Sequence, residues 1–464
     1  MKVAVWAVLC AAALGSQVPQ PDWSRLEDET MRHFQALLRF DTSDPPGHEA
    51  PAVEYLKQVL EREGIPARIF ALDPKRPNLV ARIKGSGKKR PLLIMAHTDV
   101  VNVDPAKWVH PPFSATRQGG YVYGRGAVDD KDNVVACLMV MLELKRRKVL
   151  LDRDVIFLAE AGEEGSVRYG IKFMVENHWP EIEAEFCFAE GGGVVRRGGE
   201  VRYAQVQTSE KIPYAVRLVA RGPAGHGSVP LRTNAIVRLS QAVAKVAAWQ
   251  TPMRLNDTTR TYFERLATIS TPEEAARYNN LVHPEKAAEI QEYLAVHEPR
   301  HYSMLRTSIS PNIVKAGYRV NVIPSEAEAT LDIRALPDED LPRLFEQIRG
   351  VINDPAVSLA PVERETRPPA KPSHLGSEAF QAVEAAVKGI YGVVTLPTMS
   401  TGATDMAYLR ARGVECYGVG PATDTEDGPK GFGAHSDQER ILEAELHRFV
   451  RYHWDIVAAV AGTR

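Results

Sequence analysis

The chain reads as an α/β protein: a mostly parallel, buried sheet in a first domain, interrupted by an inserted α+β module. Three observations predict this. PLLIMAHTDV and DVIFLAEAGEEG are unbroken apolar runs of strand length that end in polar and acidic residues, and the stretch between them, Lys131 to Arg147, is spaced as a helix. From 209 to 364 the pattern changes to strand, helix, two strands, helix and strand, the βαββαβ order of a ferredoxin-like module. At 464 residues the chain exceeds the usual size of a single domain, so at least two folding units are expected.

Taken in order, the first residues, MKVAVWAVLCAAALGSQ, place Lys2 before an apolar run from Val3 to Leu14 and small residues at Ala13-Leu14-Gly15. That pattern predicts a signal peptide over 1–15 and a secreted or periplasmic protein. A membrane anchor is the alternative, but twelve apolar residues reach only about 18 Å, short of a hydrocarbon core of about 30 Å. No later segment is long enough to span a membrane.

The first domain runs over 19–208. Trp23 to Gly64 holds two helically spaced stretches separated by a Pro-Pro-Gly turn, followed by the strand-like IPARIFAL and NLVARIKG. After the two apolar runs comes a third, EFCFAE. The inserted module, 209–364, contains IPYAVRLVARG, the helical NAIVRLSQAVAKVAAW, strands near VKAGYRVNVIP and EAEATLDIRAL, the helical DEDLPRLFEQIRGVI, and VSLAPVE. A polar, helix-favouring insertion, about 251–306, interrupts that module and shows no chemistry. After the turn-rich TRPPAKPSH, residues 365–464 complete the first domain.

Composition excludes several classes. Lys and Arg total 57 against 59 Asp and Glu, so no broad basic field is available to hold nucleic acid. Cys137, Cys187 and Cys416 are widely spaced in apolar stretches, which predicts buried free thiols rather than disulfides or a thiolate metal site.

Chemistry gathers at the ends of the apolar runs. AHTDV carries His97 and Asp99, GRGAVDDKDN carries Asp129 and Asp130, AGEEGS carries Glu163 and Glu164, AEGGG carries Glu190, and GFGAHSDQER carries His435. Singly each is weak, since a Glu-Glu pair is usually a solvated helix start. Together they fall where α/β sheets collect ligands, beyond the carboxyl ends of the strands. Carboxylates crowded there repel one another unless a divalent cation neutralises them. Imidazole and carboxylate without thiolate suit zinc, cobalt or manganese.

At these residues the sequence resembles the M20 peptidases, co-catalytic dizinc hydrolases. AHTDV is similar to that family's HxD segment, GRGAVDDKD to RGxxDxKG, AGEEGS to EEGS, and GPAGHGSVP to the lid segment GxxGHxSxP. NVIPSEAEATLDIR, STGATDMAYLR and GAHSDQERI complete an ordered set over nearly the whole mature chain. DPAKWVHPPFSA looks closest to the branch containing carboxypeptidase S and the secreted N-acyl amino acid hydrolases. The resemblance implies two Zn²⁺, with Co²⁺ or Mn²⁺ as substitutes. Asp129 would bridge them, His97 and Glu190 complete one, and Glu164 and His435 complete the other. Glu163 would be the general base acting on a metal-bridging hydroxide, and Asp99 would orient His97. A cis peptide is implied between Asp129 and Asp130. Asp132 departs from the Gly common in the family and is expected in the first helical turn, where the helix dipole favours an anion.

The resemblance also implies that His226, in a loop ending the first lid strand, donates to the oxyanion in a partner subunit's site. The lid would then be a dimerisation domain and the protein a homodimer, unless the insertion covers the lid edge. Arg334 and Asn321 would hold a substrate carboxylate, the alternative for Arg334 being an ordinary ion pair. Gly402 would let substrate approach the backbone closely. Thr404 and Asp405 are read as caps of the following helix. The function implied is cleavage of an amide or peptide bond next to a free carboxylate, in a peptide or N-acyl amino acid substrate. The alternatives are a non-catalytic binding module of the same fold and a phosphoesterase, for which neither a glycine-rich phosphate cradle nor a placed Ser or Thr nucleophile is visible.

Overall fold

The computed structural model describes residues 18–362 and 365–463; the expected signal peptide and Cys10 lie outside them. Among the described residues, ten strands form one large sheet. At its centre Val155–Glu160, Leu92–His97, Phe186–Ala189 and Glu415–Gly418 run side by side in parallel. The first two are buried at every position, which is why their sequences are continuous apolar runs instead of alternating ones. Antiparallel strands flank this centre: Ala67–Phe70 and Asn78–Ile83 on one side, Glu200–Glu210 and Gly193–Arg197 on the other. Ala422–Asp424 and Thr395–Ser400 pair in parallel with Gly193–Arg197 and Glu200–Glu210 respectively.

The helix Lys131–Arg146 is buried along its whole length up to Leu144, because the first helix, Trp23–Leu38, and the last, Glu443–Ala461, pack over it against the sheet. Its amino end therefore brings polar residues into the interior. Asp132 lies in the first helical turn as expected and is 1% exposed; burial and the neighbouring Asp130 carboxylate hold its carboxyl well above the usual range.

The second sheet is antiparallel, in the order Ser308–Ala316, Glu326–Ala335, Ile212–Arg221, Val357–Pro361. That order, with helices Ala235–Ala248 and Leu341–Ile352 on one face, is the ferredoxin-like arrangement. Leu239, Val246, Leu344 and Ile348 close its core against Val216, Leu218, Leu331 and Ile333. One expected strand is misplaced in the sequence reading. It lies at Ser308–Ala316, overlapping VKAGYRVNVIP only at Val314 to Ala316; the rest of that segment supplies the short Val322–Ile323.

The insertion folds as helices Asp257–Ala267, Pro272–Asn279, Pro284–His297 and Pro299–Met304. Tyr262, Phe263, Tyr278 and Leu294 form a core there together with Leu396 and Met399 of the large sheet. Arg265 fastens the contact, donating to Glu384 Oε1 at 2.5 Å and to the Thr395 carbonyl at 2.7 Å. Cys137, Cys187 and Cys416 are free and buried, with Cys187 and Cys416 in register on neighbouring strands. Among the described residues no helix is long and apolar enough to cross a membrane.

Candidate active site

The parallel strands end together, and their ends carry the site. His97 is the last residue of its strand and pairs in register with Glu160, the last of the next. Three residues beyond Glu160 comes the Glu163-Glu164 turn, which needs Gly162: its φ is +78°, and a Cβ there would lie 2.3 Å from the Ser166 carbonyl. Glu190 follows the strand Phe186–Ala189 directly. Asp129 and Asp130, joined by a cis peptide, precede the buried helix, and His435 arrives from the loop before the strand Arg440–Leu442.

Asp129 stands between the two histidines. His97 Nε2 is 3.1 Å from its Oδ1, and His435 Nε2 is 2.9 Å from its Oδ2. Each carboxylate oxygen thus faces a different imidazole. His435 Nε2 also lies 2.8 Å from Glu164 Oε1, and His97 Nε2 lies 4.0 Å from Glu190 Oε2. Ligand atoms of His97, Glu163 and Glu190 fall within 4.8 Å of one another, as do those of His97, Asp129 and Glu164. The two donor sets share His97, and with His435 five chain segments converge on a cluster of imidazole and carboxylate that could hold divalent metal.

Charge accounts for the electrostatics. Burial opposes the charge on His97, yet the Asp129 and Asp99 carboxylates hold its imidazole well above the ordinary value. Hydrogen bonds to Asp129 and Glu164 push His435 up to about 10. Burial and the surrounding carboxylates push Glu190 well above its usual range. Glu163 is pushed up to about 8, chiefly by burial, with the Arg367 guanidinium pulling it down and Asp405 pushing it up. Carboxyls and imidazoles crowded together and shifted upward in this way are what a bound divalent cation would relieve.

Asp99 meets His97 chiefly through its backbone. The hydrogen bond of His97 Nδ1 goes to the backbone carbonyl of Asp99, at 3.0 Å, while the Asp99 carboxylate lies 3.6 Å away. That carboxylate instead accepts the backbone N–H groups of Glu163 at 3.2 Å and Glu164 at 2.9 Å. Asp99 thus orients His97 and also ties down the turn bearing both glutamates.

The other expected residues lie apart from this cluster. His226 is exposed, with Nδ1 2.6 Å from Ser228 Oγ, and pairs in the short ribbon of Gly225–His226 with Val322–Ile323. Asn321 is its neighbour, accepting the Gly227 N–H on its backbone carbonyl at 2.9 Å. Among the described residues neither is hydrogen-bonded to the acidic cluster. Arg334, near the end of Glu326–Ala335, pairs through Nε with Asp332 Oδ2 at 2.8 Å. At Gly402 a Cβ would meet Ser400 Oγ at 3.4 Å, so the internal packing does not demand glycine.

Thr404 and Asp405 are not caps. No side chain caps the helix Met406–Ala411. Thr404 Oγ1 donates to Glu210 at 2.7 Å, and Asp405 Oδ1 accepts from Arg367 Nη2 at 3.1 Å. Arg367 and Glu210 were not singled out in the sequence. Arg367 sits in a turn-rich segment without periodicity, and Glu210 ends a strand with no motif around it.

The comparisons with known proteins agree with this geometry. Human N-fatty-acyl-amino acid synthase/hydrolase is 28% identical over 337 residues, covering 70% of this chain and 66% of its own length. A probable carboxypeptidase S-like protein of Dictyostelium discoideum is 29% identical, covering 71% of this chain and 64% of its own. The chain thus spans somewhat under two thirds of each of these two relatives. Rat aminoacylase-1B is 24% identical over 94% of this chain and 96% of its own. Among solved structures, an M20 family metallo-carboxypeptidase from Sulfolobus solfataricus shares the fold with a TM-score of 0.67 and 21% identity, covering 93% of this chain and 99% of that one. Human carnosine dipeptidase 1 shares it with a TM-score of 0.64 and 14% identity, over 94% and 97%. The sequence profile of peptidase family M20/M25/M40 matches residues 93–459, most of the chain and every strand end described above. The chain belongs to that family of metal-dependent hydrolases.

Proposed function

We propose that this protein hydrolyses an amide or peptide bond next to a free carboxylate, as a carboxypeptidase, dipeptidase or N-acyl amino acid amidohydrolase, with two zinc ions and Glu163 as general base. The observation that carries this reading is the Asp129 carboxylate, one oxygen toward each histidine, with Glu163 grouped beside His97 and Glu190. His97, Asp129 and Glu190 would hold one ion; His435, Asp129 and Glu164 the other. When bound, the ions supply Lewis acidity to the scissile carbonyl and to the attacking water. Glu163 takes the water's proton and delivers it to the leaving nitrogen. A carboxylate within reach of that water can do both in turn. Arg334, with Asn321, receives the substrate carboxylate, exchanging Asp332 for it, and Gly402 leaves space for substrate beside the strand Thr395–Ser400.

The lid brings His226 to the oxyanion of a second copy. Ile313 and Val314 on the lid's edge strand, with Tyr318 and Val320 beyond it, are exposed, which suits a surface covered in a homodimer. The insertion leaves that edge open because its core packs on Leu396 and Met399. His226→Ala is expected to cripple turnover with zinc content unchanged, and mixing it with a metal-site variant to restore part of the activity, measured on the mixed dimers. The apolar leader predicts export.

A panel of dipeptides and N-acyl amino acids, assayed alongside metal analysis, tests the activity. Turnover of at least one class with two equivalents of zinc is expected; two bound zinc ions and no turnover across the panel would overturn it. Asp99→Asn is expected to weaken zinc affinity about 10- to 100-fold in competition with a chelator, the usual cost of losing a group that supports the ligands.

A further inference from the structure

We propose that Arg367 is a positioning residue for the hydrolytic step: its guanidinium clasps the Glu163 carboxylate against Asp405 and so fixes the direction in which that carboxylate meets the attacking water. The inference rests on Glu163 being the base.

Arg367 lies in the segment that leads from the last lid strand back into the large sheet's domain. That segment is anchored just before it, with Glu365 accepting from Ser166 Oγ at 2.9 Å and the Thr366 carbonyl accepting from Tyr408 Oη at 3.2 Å. The arginine side chain is 18% exposed. Its Nη2 donates to Glu163 Oε1 at 2.5 Å, to Asp405 Oδ1 at 3.1 Å and to the Glu163 carbonyl at 3.4 Å. One nitrogen thus holds the side chain and the backbone of the same residue.

The neighbouring charges are already committed elsewhere. Arg410 lies 3.5 Å from Glu210, whose carboxylate also accepts from Thr404 and Gln207. Asp405 is 1% exposed and pairs with Arg367 alone among the described cations, so its carboxylate steers the guanidinium. Glu163 sits beside Glu190, Glu164 and Asp405, and Arg367 is the side-chain cation that contacts it. Held this way, Glu163 keeps a carboxylate oxygen within 4.8 Å of ligand atoms of His97 and Glu190. A clasp of this kind acts on orientation. Displacing a reacting group by about 1 Å costs on the order of 10²-fold in rate, and the rigid planar guanidinium aims its Nη2 hydrogens in a way that a rotating lysine ammonium does not.

The test uses full-length, zinc-loaded protein and the best substrate of the panel. Arg367→Met is expected to lower kcat about 10- to 100-fold, with KM changed less than threefold and zinc content unchanged; Arg367→Lys should restore part of kcat. In a Glu163→Gln background, Arg367→Met should add little, because the two act as one unit. Should Arg367→Met fail to fold, Asp405→Asn gives the same readout, a smaller fall in kcat at unchanged KM. Normal kcat in Arg367→Met or Asp405→Asn, beside an inactive Glu163→Gln, overturns the clasp while leaving the base in place. A raised KM at unchanged kcat also overturns it, making Arg367 a substrate contact. Full activity in Glu163→Gln removes the reading beneath it instead.

Discussion

Glu163→Gln is expected to lower turnover roughly 10²- to 10⁴-fold, the contribution of a general base, while zinc content and thermal unfolding stay near those of the parent. The amide is nearly isosteric and can still accept from Arg367, so the turn held by Asp99 and the clasp keeps its shape. It cannot take a proton. The comparison needs kcat and zinc stoichiometry from the same preparation. Parent-like turnover at full zinc would show that another group moves the proton.

Asp129→Ala should be more severe still, because it removes the one carboxylate that the two proposed zinc sites would share. Zinc should fall from two equivalents to one or none, and activity to background. A second readout separates this from simple misfolding. In the parent, free zinc at about a hundredfold over its Kd should stabilise the fold by about 2.7 kcal/mol per site, visible as a raised Tm. In the variant most of that rise should vanish while the metal-free protein still unfolds cooperatively. Two tightly held zinc ions in Asp129→Ala would mean that the centre lies elsewhere.

Part of the acidic and histidine cluster was legible because His97, the Glu163-Glu164 pair and Glu190 follow unbroken apolar runs, and parallel sheets place such ends on one edge. His435 was legible only through the family's ordered motifs, since nothing local marks it. What stayed hidden was chosen by tertiary contact. Thr404 and Asp405 precede a helix and so look like caps, but their partners are Glu210 and Arg367, distant in the chain. Arg367 lies among prolines with no periodicity to give it a face. The strand Ser308–Ala316 was missed for a related reason: it is an exposed edge strand with Pro311 at an irregularity in its pairing, so neither burial nor alternation marks it.

The helices over 251–306 leave the lid, seat Tyr262 and Phe263 on Leu396, and return to the lid's edge strand. They form a brace across the two units in addition to the two chain crossings. A rigid swing of the lid would shear that apolar seat and break the Arg265 anchor, so admission and release of substrate favour small sliding motions over a wide opening. Loosening the seat, not lengthening the crossings, is then the direct way to change how fast product leaves.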